Sequence, residues 1–225
     1  MDQTALRTIG RVFGKDCDFS PIGEGHINDT YRSSDGKWIL QRINTNVFTK
    51  PDEVMENIAA VTDWIRAKNE RKEQADGWTT LKIVPASDNA LLYRDGSGCW
   101  RMYENIAHAH SVEPEDCSRA EFMRAAAAFG RFQRDLEGFP AEKLHETIPD
   151  FHNTEKRLAK LKAVVQSLKE KESETLLEKE PAQESRLQRA MPHVEFVLSQ
   201  EPLASIVLNG IRDGSIPLAV THNDT

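Results

Sequence analysis

Two short segments rich in β-branched, aromatic and aliphatic residues, 27–33 and 37–43, meet across Asp35-Gly36. Both residues of that dipeptide tolerate positive φ, which a tight hairpin requires, so the segments read as a pair of antiparallel strands. The next element is not a third strand. Val54, Ile58, Val61 and Ile65 recur at steps of four, three and four, an apolar stripe along one face of a helix that Pro51 and Asp52 open. Strand signals then return over 80–84, 90–94 and 99–104, separated by turns at Asp88-Asn89 and Asp95-Gly96-Ser97-Gly98. With a further short strand around 18–22, this order predicts a small antiparallel β lobe with one inserted helix, spanning residues 1–105.

Beyond Glu104 the periodicity changes. Residues 106–111 read as a connector, and Phe122, Ala125, Phe129, Phe132 and Leu136 then mark a helix with an apolar face. Leu158, Leu161, Val165 and Leu168 define a second helix, and Leu187, Met191, Val194 and Leu198 a third that Pro192 breaks or begins. Between them, residues 169–184 carry mixed-sign charge and read as a solvated helix end and loop. The apolar run 216–220 reads as a short buried strand. The fold class expected is therefore α+β, with a mainly helical second lobe over residues 106–225.

Charge narrows the partners. A net charge of −7 with no basic stripe argues against nucleic acid or an anionic membrane and leaves small molecules as the expected ligands. Cys17, Cys99 and Cys117 are odd in number and lack Cys-x-x-Cys spacing, so neither a disulfide framework nor a zinc site is expected. No apolar stretch approaches the length of a membrane span, and the first residues show no basic segment followed by an apolar one. A cytoplasmic protein is the expectation.

Two motifs carry chemistry. Gly23 and Gly25 lie between the first short strand and the next, where glycines let backbone amides approach phosphate oxygens; the competing reading is a plain hairpin turn. The chain closes on His222-Asn223-Asp224-Thr225, and an Asp on a loop after a short strand is how phosphotransferases receive the proton of an attacking hydroxyl. A solvated tail is the alternative there. A glycine turn, a hairpin, a basic residue on the second strand, then a helix with acids at Glu53 and Glu56 is the order of parts in a kinase nucleotide lobe.

Taken with Gly25-His26-Ile27-Asn28-Asp29-Thr30-Tyr31, Ile39-Leu40-Gln41-Arg42-Ile43-Asn44, Val54-Met55-Glu56-Asn57-Ile58, Phe151-His152-Asn153-Thr154 and the closing residues, the chain resembles the aminoglycoside phosphotransferase and choline kinase superfamily. Within it the chain is most similar to N-acetylhexosamine 1-kinases. That resemblance implies a protein-kinase-like fold and transfer of the γ-phosphoryl group of ATP to the anomeric hydroxyl of an N-acetylhexosamine. Homoserine, choline or an aminoglycoside are alternative acceptors, and a non-catalytic nucleotide- or sugar-binding relative is the alternative outside the enzymes.

Residue by residue, the resemblance implies that Gly23, Gly25, His26 and Asn28 cover the ATP phosphates. A lysine is expected on the strand 39–43, yet this chain has Gln41 and Arg42, which alternation sends to opposite faces. Arg42 keeps the charge and is favoured, with Gln41 nearly as well aligned. Glu56 would pair with whichever contacts phosphate. Tyr103, Glu104 and Ile106 would meet the adenine, Phe151 and His152 the sugar, with Asn153 or Thr154 equally suited to cap a helix. Asp224 would serve as the base and contact the acceptor, while His222 holds its loop. Magnesium is implied as well, its main ligands expected beyond Thr225, so the sequence looks cut within the catalytic motif and the chain as given is expected to be inactive.

The glycine turn yields a direct test. Gly25→Val should weaken ATP binding while leaving the fold intact, because a branched side chain would fill the space of the phosphates. Unchanged affinity by calorimetry would remove the turn from the nucleotide site.

Overall fold

The computed structural model describes residues 2–23, 27–70, 79–107, 109, 112, 114–174 and 181–222, and of residues 169, 171–174 and 181–188 the backbone alone. Packing divides the chain into two compact units, one ending at Ile148 and one beginning at Pro149. The expected boundary after residue 105 marks a different event: it is where strands stop and helices begin.

The first unit opens with a helix where neither a strand nor a helix was expected. Asp2 accepts a hydrogen bond from the Ala5 N–H and caps helix α1 (Gln3–Val12), whose Leu6, Ile9 and the adjoining Phe13 are buried. The signal was present in an N-cap residue ahead of apolar residues at helical spacing. Next come β1 (Phe19–Pro21), β2 (Asp29–Ser33), β3 (Trp38–Ile43), α2 (Pro51–Glu70), β4 (Ile83–Val84), β5 (Tyr93–Asp95) and β6 (Gly98–Glu104). The strands form one antiparallel sheet in the order β1-β2-β3-β6-β4, with β5 also paired to β6. The expected α+β lobe, an antiparallel sheet with a helix inserted after its second hairpin strand, is what forms. β4 is much shorter than the segment 80–84 suggested, and β5 is shorter than the segment 90–94 and shifted toward Asp95.

The sheet is covered on both faces by different means. Leu40, Trp100 and Met102 join Phe19 in a core closed by Leu6, Ile9 and Phe13 of the α1 region. On the other face Ile43 and Cys99 pack with Met55 of α2 and Leu92. Helix α2 buries Val54, Met55, Thr62 and Ile65, close to the stripe its periodicity implied. Helix α3 (Arg119–Asp135) begins with a capping box in which Ser118 and Glu121 satisfy each other's backbone donors. Its apolar positions do not all find cover: Phe122 is 69% exposed, and burial is reached only at Asp135 and Leu136. Trp64 Nε1 donates to the Asp135 carbonyl at 3.2 Å and Lys68 Nζ to the carbonyls of Arg134, Asp135 and Glu137, so α2 satisfies the open C-terminal end of α3.

The second unit contains α4 (Thr154–Glu174), α5 (Pro181–Ser199) and α6 (Ile206–Arg212). Two expectations need correction here. Pro192 neither breaks nor begins a helix, because α5 starts at Pro181, where a proline's missing N–H costs nothing, and continues through residue 192. The run 216–220 forms no strand, since no neighbouring strand among the described residues of this unit offers its backbone a partner. Leu218 is 64% exposed. No helix among the described residues is long and apolar enough to cross a membrane.

Gly10 is where α1 comes closest to the sheet. A Cβ there would lie 2.6 Å from Phe19 Cε2 and 2.9 Å from the Lys15 carbonyl oxygen, and Phe19 is fully buried. Valine and glycine differ little in helix propensity, so overpacking decides the sign. Gly10→Val should lower the unfolding free energy by about 1–3 kcal/mol, read as a reduced urea midpoint at unchanged slope.

Candidate functional site

The sheet face that α2 covers carries a line of polar side chains across three strands. Gln41 on β3 stands directly opposite Arg101 on β6, and Thr30 on β2 opposite Gln41. Gln41 Nε2 donates to Thr30 Oγ1 at 2.8 Å, which turns Gln41 Oε1 toward Arg101; that oxygen accepts from Arg101 Nε at 2.8 Å and Nη2 at 2.6 Å. Arg101 Nη1 reaches Met55 Sδ of α2 at 3.8 Å, a weak contact. Among the described residues no carboxylate pairs with Arg101, although burial pulls its guanidinium below the ordinary arginine range. It stays a cation at neutral pH. Its neighbour Tyr103 is likewise shifted, its phenol raised by burial.

Arg42, favoured from sequence for its charge, stands on the face away from α2. Its Nε donates to Asp29 Oδ2 at 2.7 Å, its Nη1 to the Ser97 carbonyl at 3.3 Å, and its guanidinium carbon lies 6.0 Å from the centre of the Trp100 ring. The cause is strand alternation, which groups Arg42 with Leu40 and puts Gln41 alone toward the helix. Nor does Glu56 pair with either residue. Its Oε2 lies 2.8 Å from His145 Nε2, while Asn57 next to it exchanges two hydrogen bonds with the His145 backbone, at 2.8 and 2.9 Å. These contacts hold the segment after α3 against α2. Glu53, the other acid of that turn, meets Lys50 at 2.7 Å.

The glycine turn joins β1 to β2 beside this line. The Ile22 N–H donates to the Thr30 carbonyl at 3.0 Å, and Gly23 has φ +67°, a conformation in which a side chain would be strained. Asn28 Oδ1 accepts from the Asn44 N–H at 2.9 Å and so ties the far side of the turn to the end of β3. Gly25 and His26 lie outside the described residues. At the other end of the sheet, Glu104, Asn105, Ile106 and Ala107 form one wall of an open cleft of about 550 Å³, with Arg66, Glu70 and Lys82 opposite. Glu104 pairs with Lys82 at 2.6 Å, and the Asn105 N–H is committed to the Lys37 carbonyl at 2.8 Å.

In the second unit, Asn153 is the cap that the sequence left open: its Oδ1 accepts from the Lys156 N–H at 3.0 Å. Thr154 is the first residue of α4. Phe151 and His152 are both exposed, with ring centres 4.8 Å apart and edge to face, and Arg157 sits 5.0 Å from the Phe151 ring while its Nε donates to the Phe151 carbonyl. His222 is described but Asp224 is not. Among the described residues no group of three or more His, Cys, Asp or Glu is placed to hold a metal ion.

No family model matches the chain. Among solved structures it is similar to the streptomycin–ATP–APH(2")-IIa ternary complex, at 13% identity over 92% of this chain and with a TM-score of 0.44. It spans 60% of the length of that chain. At that identity and score the likeness identifies neither a substrate nor a site residue.

Arg101, Thr30 and Asn57 were not singled out from sequence. For Arg101 the signal was one charge inside the otherwise apolar run Cys99-Trp100-Arg101-Met102-Tyr103. Asn57 lies on a helix with nothing local to mark it. Asn57→Ala should cost about 0.5–1.5 kcal/mol, because the backbone groups of His145 exchange their partners for water. Hydrogen exchange should rise across residues 141–148, and unchanged protection there would contradict the anchoring role.

Proposed function

We propose that this protein is an ATP-dependent small-molecule kinase that phosphorylates a hydroxyl group, with the anomeric hydroxyl of an N-acetylhexosamine as the favoured acceptor. The observation that supports it best is the hydrogen-bonded polar line Thr30–Gln41–Arg101 across β2, β3 and β6, on the sheet face where Ile43 and Cys99 pack with Met55 of α2. Buried polar groups are costly unless matched, and this line ends in a cation that no acid among the described residues neutralises. A triphosphate fits such a face: Gly23 lets the backbone approach closely, Arg101, oriented by Gln41, brings donors, and Asn28 braces the turn. At the connector the Asn105 N–H is engaged by the Lys37 carbonyl and the Ile106 carbonyl accepts from the Ala109 N–H, so the Ile106 N–H is the group offered to an adenine edge, with Tyr103 and Glu104 leading to it.

When bound, ATP with magnesium supplies the γ-phosphoryl group and neutralises charge between its phosphates. The chain's own part is to orient and to move one proton. Asp224 accepts the proton of the acceptor hydroxyl as that oxygen attacks the γ-phosphorus and the bond to the bridging oxygen breaks to release ADP, and His222 holds the loop that presents it. Phe151 and His152 offer an aromatic edge and an imidazole suited to a hexose's apolar face and hydroxyls. The supporting resemblance favours a hexosamine over homoserine, choline or an aminoglycoside, and a panel of these acceptors with ATP and magnesium decides among them.

Asp224→Asn should keep ATP and acceptor binding near normal in the intact protein but lower kcat by about 10²–10⁴-fold, since the amide is nearly isosteric and cannot accept the proton. Full turnover by this variant would place the base elsewhere.

A further inference from the structure

Arg101 is a charge in a place where an apolar residue would pack as well. Beside it on the same face lie Ile43 and Cys99, with Met55 of α2 against it, and a cation in such surroundings is costly unless it is paired. The acids nearest in sequence on α2 are engaged elsewhere, Glu53 with Lys50 and Glu56 with His145. Among the described residues its one strong partner, Gln41, is neutral. A glutamate at that position would have closed a salt bridge and silenced the charge; the amide orients the guanidinium and leaves its positive charge in place.

The orientation is specific. Of the five N–H donors of a guanidinium, two go to Gln41 Oε1 and one faces Met55 Sδ. One donor on each of Nη1 and Nη2 remains, and these two form the planar fork that binds a phosphate through two parallel hydrogen bonds. Gln41 cannot rotate away without losing Thr30, so the fork is held from the strand that begins at the glycine turn.

We propose that Arg101 is the phosphate-binding cation of this protein, supplying from β6 the charge that the kinase pattern takes from a lysine on β3. The inference rests on the nucleotide-binding reading above and assigns Arg42 no part in it. Gln41 is a positioning residue, and Arg42 stabilises the first hairpin through Asp29.

The test compares ATP with adenosine by titration calorimetry, using the unmodified protein, Arg101→Met and Arg101→Lys. Arg101→Met should weaken ATP binding about tenfold to a hundredfold and leave adenosine affinity unchanged, because the charge that meets the phosphates is lost while the adenine contacts are not. If that variant does not fold, Arg101→Lys, which keeps the charge but not the fork, should still weaken ATP about threefold to tenfold relative to adenosine. Equal ATP affinity in the variants and the unmodified protein would overturn the role of Arg101 and leave the nucleotide reading standing. Equal losses for ATP and adenosine would reduce Arg101 to a structural residue. If the unmodified protein binds no ATP, both readings fall.

Discussion

The antiparallel pairing of β3 with β6 is the contact on which the rest of the first unit depends. Six residue pairs, from Trp38 opposite Glu104 to Ile43 opposite Cys99, decide which side chain faces which covering helix. Leu40 and Met102 go to the α1 side, Gln41 and Arg101 to the α2 side. Because side chains alternate, a slip of one residue in β6 would bring Trp100 and Met102 to the α2 side and send Arg101 into the core with Phe19. The buried Trp100 and the α1 contacts forbid that slip, so the hydrophobic core enforces the position of the charge.

Helix α2 converts that sheet into a framework. Along its length, Met55 meets the sheet and Arg101, Glu56 and Asn57 hold the segment at His145, and Trp64 and Lys68 hold the end of α3. Asn57, Trp64 and Lys68, spaced by seven and four residues, share one flank of the helix, while Met55 lies on another. An acid held by His145 is not available to Arg101, and the open charge on the sheet is a consequence of that arrangement.

Much of this architecture was legible in the chain of residues alone. Asp35-Gly36 demanded a hairpin because of its backbone tolerance, and the spacing of Val54, Ile58, Val61 and Ile65 demanded a helix, both from interactions within a few residues. Helix α1 was legible but passed over, its Asp2 cap and Leu6, Ile9 and Phe13 lying in a stretch without strand or turn signals. The run at 216–220 misled because apolar content alone does not make a strand; a strand needs a partner for its backbone. At the site, alternation told that Gln41 and Arg42 part company, but not which of them meets the helix.

By itself the sequence determined the first hairpin, the inserted helix and the turns between the strands that follow, since all of these are settled by neighbours within one helical turn or one hairpin. Only the tertiary structure decided that Arg101 and Gln41, 60 residues apart, share a face and a hydrogen-bonded pair, and that Arg42 belongs to Asp29. The reason is physical. Periodicity says that a strand has two faces, but which face is which depends on the register of a distant strand and on the large side chains that hold it there.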